Sequence, residues 1–159
     1  MAVRQVSIFL ENETGRLADL TQILADNGID LNAVTIAETG EYGILRCIVQ
    51  NPEEAVAALA GKGFMASISD VLTVAIDNVP GAVNKVLQLL ADAGIGVKYI
   101  YSTIQSAKGE AAITMKTTDQ QRAENILLKA GRSLPVFCFI LHELLHTIML
   151  PDLVHWWKI

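Results

Sequence analysis

The chain has 159 residues and a mass of 17.2 kDa, with 52% hydrophobic and 18% charged residues, which excludes a mainly disordered chain. A net charge of −5 excludes the basic surface that nucleic acid requires, and two cysteines 91 positions apart indicate neither a disulfide framework nor a zinc ribbon. Because residues 1–5 lack the apolar region of a signal peptide, we predict a cytoplasmic protein that binds neither nucleic acid nor membranes.

An internal repeat organises most of the chain. Placing residues 6–37 over residues 72–103 gives eight identities in 32 positions without a gap, and most of the other pairs keep their polarity. Two copies of one structural unit therefore account for this part of the sequence. We assign residues 1–69 to a first unit and residues 70–132 to a second unit.

The elements of the first unit follow the order β-α-β-β-α-β. Val6, Ile8 and Leu10 alternate with polar or exposed positions, which is the period of a half-buried strand. Apolar residues from Leu17 onward then recur at helical spacing, and Gly28 lies where a left-handed helix end is least costly. The later elements are predicted as two strands, a helix capped by its first residue, Asn51, and a fourth strand: 31–37, 44–49, 51–61 and 64–69.

The second unit repeats this order. Thr118 is expected to cap its last helix, and only Asp70 interrupts the apolar run that joins the units, so we expect them to be joined rigidly side by side. The sequence predicts an α+β fold of two ferredoxin-like units in tandem, each an antiparallel sheet with helices on one face. The predicted elements are three strands, two helices and an apolar stretch able to supply the fourth strand: 72–76, 97–103, 111–115, 81–93, 119–130 and 135–141.

The turns before the first helix of each unit resemble those of a known family. Residues 77–83 read Asp-Asn-Val-Pro-Gly-Ala-Val, which matches the Asp-x-x-Pro-Gly-x-Leu/Val turn of ACT domains. Residues 11–17 read Glu-Asn-Glu-Thr-Gly-Arg-Leu, with Thr14 where proline is usual. Residues 3–132 are therefore similar to small stand-alone tandem ACT proteins.

This resemblance implies regulation rather than catalysis. ACT domains commonly bind amino acids at the interface between two units and pass the occupancy to a partner or an attached enzyme. We therefore expect a non-catalytic regulatory protein that binds a small amino acid without a cofactor or metal, as a homodimer or with a partner protein. The expected ligand-binding residues lie in the two turns and at the start of one strand: Asn12, Glu13, Thr14, Gly15, Arg16, Leu17, Asp30, Asn78, Val79, Pro80, Gly81, Ala82 and Val83.

Several of these residues also have a purely structural interpretation. Asp30 is placed to meet a ligand's amino group, whereas the equivalent Gly96 has no side chain, so we expect one competent site. Asn and Gly are typical of turns that bind nothing, so a ligand-free assembly module is the alternative function. Arg16 either faces an anionic ligand or is solvated, and we favour the second because the helix dipole disfavours a cation there. Cys47 is interpreted as a small core residue.

Residues 133–159 form an apolar tail that departs from the family pattern. The segment His142-Glu143-Leu144-Leu145-His146 has the H-E-x-x-H spacing of zinc peptidases, but no third ligand at the usual spacing and no catalytic fold accompany it. A zinc-dependent hydrolase is therefore a remote hypothesis. Three interpretations of the tail remain: an extra helix packed on the sheet or on a dimer partner, an interfacial segment anchored by Trp156 and Trp157, or a stretch read in an altered frame.

Overall fold

A computed structural model describes residues 2–38, 40–105 and 110–131. The predicted elements within these ranges are present, with small shifts at their ends, and the stretch at 135–141 lies outside the described residues. The strands and helices are, in chain order, β1 (Ala2–Glu11), α1 (Arg16–Asp26), β2 (Ala33–Glu38), β3 (Tyr42–Ile48), α2 (Pro52–Ala60), β4 (Met65–Asp77), α3 (Ala82–Asp92), β5 (Val97–Gln105), β6 (Glu110–Thr117) and α4 (Gln120–Lys129).

The six strands form one antiparallel sheet in the order β2-β3-β1-β4-β6-β5. Strands β2-β3-β1-β4 give the first unit its ferredoxin-like arrangement, and β4-β6-β5 are the described strands of the second unit. Val6 of β1 lies opposite Cys47 of β3 and Ile68 of β4, whereas Leu72 of β4 lies opposite Met115 of β6. The predicted fold of two βαββαβ-type units in tandem is confirmed.

Strand β4 belongs to both units. The sequence predicts separate strands at 64–69 and 72–76, but the structure has one strand of 13 residues, Met65–Asp77. Its first part pairs with β1 and its last part with β6. Asp70 does not break the strand, because its side chain is exposed and its carbonyl oxygen accepts a bond from Lys116 Nζ at 2.5 Å. The predicted unit boundary between residues 69 and 70 falls inside this strand.

The helices cover one face of the sheet and create two apolar cores. In the first unit Val6, Ile8 and Leu10 pack against α1 and α2, and in the second unit Leu72 and Val74 belong to a cluster that includes residues of α3 and α4. Cys47 lies in the first core with no exposed surface, as predicted, and burial raises the pKa of its thiol to about 12. A thiol that stays protonated at neutral pH is not a nucleophile.

The sheet curls toward its face without helices, so that its two edge strands come into contact. Residues of β2 lie against residues of β5, although these strands are the two edges of the sheet. Gln5, a polar residue of β1, is fully buried on this face. The alternation along β1 does not reveal this burial, because the curvature of the sheet depends on contacts between distant strands. Four further hydrophobic residues are buried but belong to neither of the two cores: Ala33, Ile48, Val71 and Ala112.

The N-terminus of α4 differs from its prediction. Asp119 is the N-cap, and its carboxylate accepts a bond from the Arg122 N–H at 3.1 Å. Thr118, predicted as the cap, instead uses its hydroxyl to accept a bond from the Gly96 N–H at 3.0 Å. The prediction is wrong because a strand from earlier in the chain occupies that hydroxyl. Asn51 occupies the N-cap of α2, as predicted.

Candidate functional site

Each unit has a strand-to-helix turn that ends in a left-handed glycine. Gly15 (φ +95°) is the N-cap of α1, and Gly81 (φ +84°) is the N-cap of α3. Glycine has no side chain to accept bonds from the first N–H groups of the helix, which carry the positive end of its dipole. Four such N–H groups form no hydrogen bond with another described residue: those of Leu17, Ala18, Val83 and Asn84.

Helix α4 shows what these open N–H groups can bind. There the carboxylate of Asp119 accepts a bond from the backbone N–H of Arg122 at 3.1 Å. A carboxylate supplied by a ligand would take the equivalent place at α1 or α3, where the N-cap residue has none. The two glycine turns are therefore suited to bind the carboxylate of a small molecule.

The first turn is fixed by the hairpin between β2 and β3. The backbone N–H of Asn12 donates to the carbonyl oxygen of Glu41 at 2.9 Å. Its side-chain Nδ2 donates to the carbonyl oxygen of Gly40 at 3.1 Å. The amide of Asn12 is thereby oriented before any ligand arrives. Glu13 and Thr14, the next two residues of the turn, are exposed.

Arg16 is half-buried, with 31% of its side chain exposed. Its Nε lies 3.1 Å from Oε2 of Glu11, and its guanidinium lies over the ring of Phe64, 4.5 Å from the centroid. The favoured interpretation of a solvated side chain therefore holds only in part. The carboxylate and the aromatic face offset the unfavourable position of a cation in the first turn of a helix. Sequence reasoning missed both partners, since Phe64 is 48 positions away.

Exposed apolar side chains lie beside both turns. Leu17 is 41% exposed and Val83, its equivalent, is 38% exposed, although both are at positions with helical apolar spacing. Val79 in the second turn is 56% exposed. The helical pattern predicts Leu17 on the core side of α1, and the structure instead leaves it at the open end of the helix. An apolar surface at the same place in both units is available to a ligand or a second protein.

The second turn has no equivalent of Arg16. Ala82, which replaces it, is only 2% exposed and belongs to the second core. The second unit thus keeps the backbone geometry of the first turn, with Asp77 and Asn78 in place of Glu11 and Asn12, but with fewer polar side chains. Three positions carry the change, with Glu13, Thr14 and Arg16 of the first unit replaced by Val79, Pro80 and Ala82.

Gly96 has a packing reason to lack a side chain. A Cβ at this position would lie 3.2 Å from Cγ2 of Thr118. The backbone N–H of Thr118 donates to the carbonyl oxygen of Gly96 at 2.9 Å. In the first unit the equivalent Asp30 is exposed, and its Oδ1 accepts a bond from the Leu31 N–H at 2.9 Å. A carboxylate is thus available only in the first unit.

The structure does not bring the predicted site residues together within one chain. The first turn follows β1, which runs antiparallel to β4, so the two turns lie at opposite ends of β4. A strand of 13 residues separates such ends by about 40 Å. Asp30 follows the C-terminus of α1, whereas the first turn precedes its N-terminus, and a helix of 11 residues is about 16 Å long.

A groove of about 310 Å³ lies at the start of α2. It contains the ion pair of Arg4 and Glu53, which lowers the pKa of the Glu53 carboxyl, and it is distant from both turns. Among the residues the structure describes, no helix is long and apolar enough to cross a bilayer, and no cluster of metal-ligating side chains is present. Residues 142–146 lie outside the described residues.

Comparisons with known proteins agree with this architecture. The family model for an ACT domain pair matches residues 1–137. The crystal structure of protein BT0572 from Bacteroides thetaiotaomicron has 37% sequence identity and a TM-score of 0.78, covering 85% of this chain and 92% of that chain. The ligand-free regulatory subunit of aspartate kinase from Thermus thermophilus has 20% identity and a TM-score of 0.59, covering 80% and 91%, and shares the fold. No curated protein sequence matches significantly.

Proposed function

Because the chain belongs to the family of ACT domain pairs, we propose that it is a non-catalytic regulatory protein that binds a small amino acid at its strand-to-helix turns. The observation that carries the proposal is the pair of left-handed glycine N-caps, Gly15 and Gly81, which leave helix N–H groups without partners among the described residues. An α-carboxylate is an anion that such donors bind. The compartment, predicted to be the cytoplasm, stays a prediction.

The first turn is proposed to provide most of the recognition. The N–H groups of Leu17 and Ala18 receive the α-carboxylate, and the oriented amide of Asn12 lies beside them. The exposed side chain of Leu17 covers an apolar part of the ligand. Arg16 supports the turn through Glu11 and Phe64. The second turn contributes backbone donors, the amide of Asn78 and the apolar surface of Val79, Pro80 and Val83.

A second copy of the chain is proposed to complete the site. The two turns lie at opposite ends of β4, so a site that contains both needs two chains. When two copies pack antiparallel, the first turn of one lies beside the second turn of the other, and the dimer has two equivalent sites. The start of β2, with its exposed Asp30, then comes from a chain other than the one whose turn holds the carboxylate.

A thermal melt of the purified chain with each of the twenty amino acids tests this proposal. An amino acid at one hundred times its dissociation constant adds about 2.7 kcal/mol to the free energy of unfolding. We expect one or two amino acids to raise the melting temperature, and Asn12→Ala to abolish the effect. Gln22→Ala is the matched control, since Gln22 is an exposed polar residue of α1 whose side chain bonds only to Asp26 among the described residues.

The alternative is an assembly module that binds no ligand. The observation in its favour is the exposed apolar surface of Leu17, Val79 and Val83 beside the turns, which a protein partner would also cover. A flat response to all twenty amino acids, together with a concentration-dependent melting temperature, would favour this alternative. Selective stabilisation by an amino acid would exclude it as the whole function.

A further inference from the structure

A buried polar cluster connects the two units on the sheet face without helices. The side chain of Gln5, on β1, has no exposed surface. Its Nε2 donates to the hydroxyl of Tyr99 on β5 at 2.9 Å, and its Oε1 accepts from the hydroxyl of Tyr101 at 3.0 Å. The same Nε2 also donates to Ser7 Oγ at 2.9 Å. All of these bonds form inside the curl of the sheet, and two of them cross from one unit to the other.

Two further contacts reinforce this connection. The guanidinium of Arg46, on β3, lies over the ring of Tyr99, 4.2 Å from its centroid. Residues of β2 lie against residues of β5. Strands β1 and β5 are separated by β4 and β6 in the sheet, so these contacts exist only because the sheet curls. Burial raises the pKa of the Tyr101 hydroxyl, which therefore stays protonated and able to donate.

We infer that Gln5, Tyr99 and Tyr101 form an inter-unit joint, because of which the cores of the two units become exposed together rather than independently. Within the sheet the units are joined through β4, which pairs with β1 and with β6. The cluster adds a second attachment across the curled face, between strands that are not neighbours in the sheet. Whatever stabilises one unit then stabilises the other, and in the case of a bound amino acid this consequence rests on the function proposed above.

One buried thiol in each unit, the natural Cys47 and a cysteine introduced at the equivalent position, allows a test on the full chain. The test needs no ligand, so its result does not depend on whether an amino acid binds. Cys47 reports opening of the first unit, because it has no exposed surface. Ile113 occupies the equivalent position in the second unit and is 4% exposed, so Ile113→Cys in a Cys47→Ala chain reports opening of the second unit. Cys138→Ser removes the other thiol from both chains. The rate of modification by a thiol reagent is measured at increasing urea concentrations.

The ratio of the two rates is the quantity that the joint controls. Gln5→Leu leaves two tyrosine hydroxyls without their partner, and we expect it to change this ratio about tenfold. Tyr101→Phe keeps the ring and removes one bond, so it serves if Gln5→Leu does not fold, with an expected change of about fivefold. Thr117→Val is the matched control. Thr117 is 3% exposed, and the variant removes the bond from its hydroxyl to Oε1 of Gln120 at 3.1 Å, which lies within the second unit, so the ratio should stay within about twofold of its parent value.

Two results would overturn the inference. An unchanged ratio in folded Gln5→Leu or Tyr101→Phe chains would show that β4 alone couples the units. An equal change in Thr117→Val would show that the loss of any buried hydrogen bond has the same effect. Neither result depends on the amino-acid site.

Discussion

The two strand-to-helix turns share a backbone but differ in their side chains. Both end in a left-handed glycine that leaves helix N–H groups open, Gly15 in the first unit and Gly81 in the second. The first turn adds a charged residue held by two partners, Arg16, while the second has the buried Ala82 in its place. The backbone feature is present in both copies of the repeat, whereas the charged side chain at the first helical position is present in one.

The same difference recurs at the start of the strand that follows each of these helices. Asp30 is exposed, whereas Gly96 is held against Thr118 and has no room for a side chain. At these positions the first unit therefore carries charged side chains, whereas the second unit carries packing contacts. The four predictions below test how far this division between the units extends.

The largest effect is expected from truncating the equivalent core leucines of α1 and α3. Leu24 is 1% exposed and Leu90 is 0% exposed. Leu24→Ala and Leu90→Ala should each lower the free energy of unfolding by about 2–5 kcal/mol. Because the units share β4, calorimetry should show one transition in both variants. Two separate transitions in Leu24→Ala would show that the units unfold independently.

The free energy of unfolding should depend on pH because of Cys47, in the first core. The pKa of Cys47 rises from 9.0 to about 12 on folding, so between these values the unfolded chain loses a proton that the folded chain keeps. Stability should therefore fall as the pH rises above 9, by up to about 1.4 kcal/mol per pH unit. Burial of the Tyr101 hydroxyl acts in the same direction. Urea denaturation at about pH 8 and about pH 10.5 measures the slope.

Cys47→Ala is the control for this slope. The equivalent residue of the second core, Ile113, has no proton to lose. The variant should lose stability at both pH values because of its smaller side chain, but its decline between them should be shallower than that of the parent chain. Equal declines in the two chains would mean that Cys47 contributes nothing to the pH dependence.

A smaller effect is expected where the strand starts differ. In Gly96→Ala the new Cβ lies 3.2 Å from Cγ2 of Thr118, so the side chain or the strand must shift. We expect a loss of about 1–3 kcal/mol in urea denaturation. Asp30→Ala, at the equivalent exposed position, should change stability by less than about 0.5 kcal/mol. A neutral Gly96→Ala would remove the packing explanation for the missing carboxylate.

The smallest effect is expected at the caps of the second helix of each unit. Asp119→Ala removes a cap whose carboxylate bonds to the Arg122 N–H, and it should cost about 1 kcal/mol. Asn51 makes no capping bond with its side chain, which donates instead to Oε2 of Glu54 at 3.1 Å. Asn51→Ala should therefore cost less than Asp119→Ala in the same thermal melts. The reverse order would contradict the difference between these two caps.

Most elements of the fold could be predicted from the sequence because each buries one side. Val6, Ile8 and Leu10 on β1 alternate toward the helices, and the glycines that end the turns recur at the same spacing in both units. The positive φ of Gly15 and Gly81 follows from the same repeat and is observed. Local pattern and repetition together were sufficient for these features.

The features that sequence missed depend on distant contacts. The sequence predicts two strands, 64–69 and 72–76, where the structure has one, because a single polar residue with an exposed side chain, Asp70, is compatible with a continuous strand. Gln5 is buried only because the sheet curls until β5 reaches β1. Arg16 is held by a ring 48 positions away, Phe64. The separation of the two turns follows from the antiparallel pairing of β1 and β4, which fixes them at opposite ends.

The central proposal, that an amino-acid site is made from the first turn of one copy and the second turn of another, is tested most directly by mixing two inactive chains. Asn12→Ala and Asn78→Ala should each abolish stabilisation by the amino acid found in the melts. When both chains are co-expressed with different tags and the mixed dimer is isolated, one of its two sites combines the intact turns. Calorimetric titration of the mixed dimer should then give about half the parent's number of sites, at the parent's affinity. A mixed dimer without binding, or binding retained in either single variant, would contradict a site shared between unlike turns.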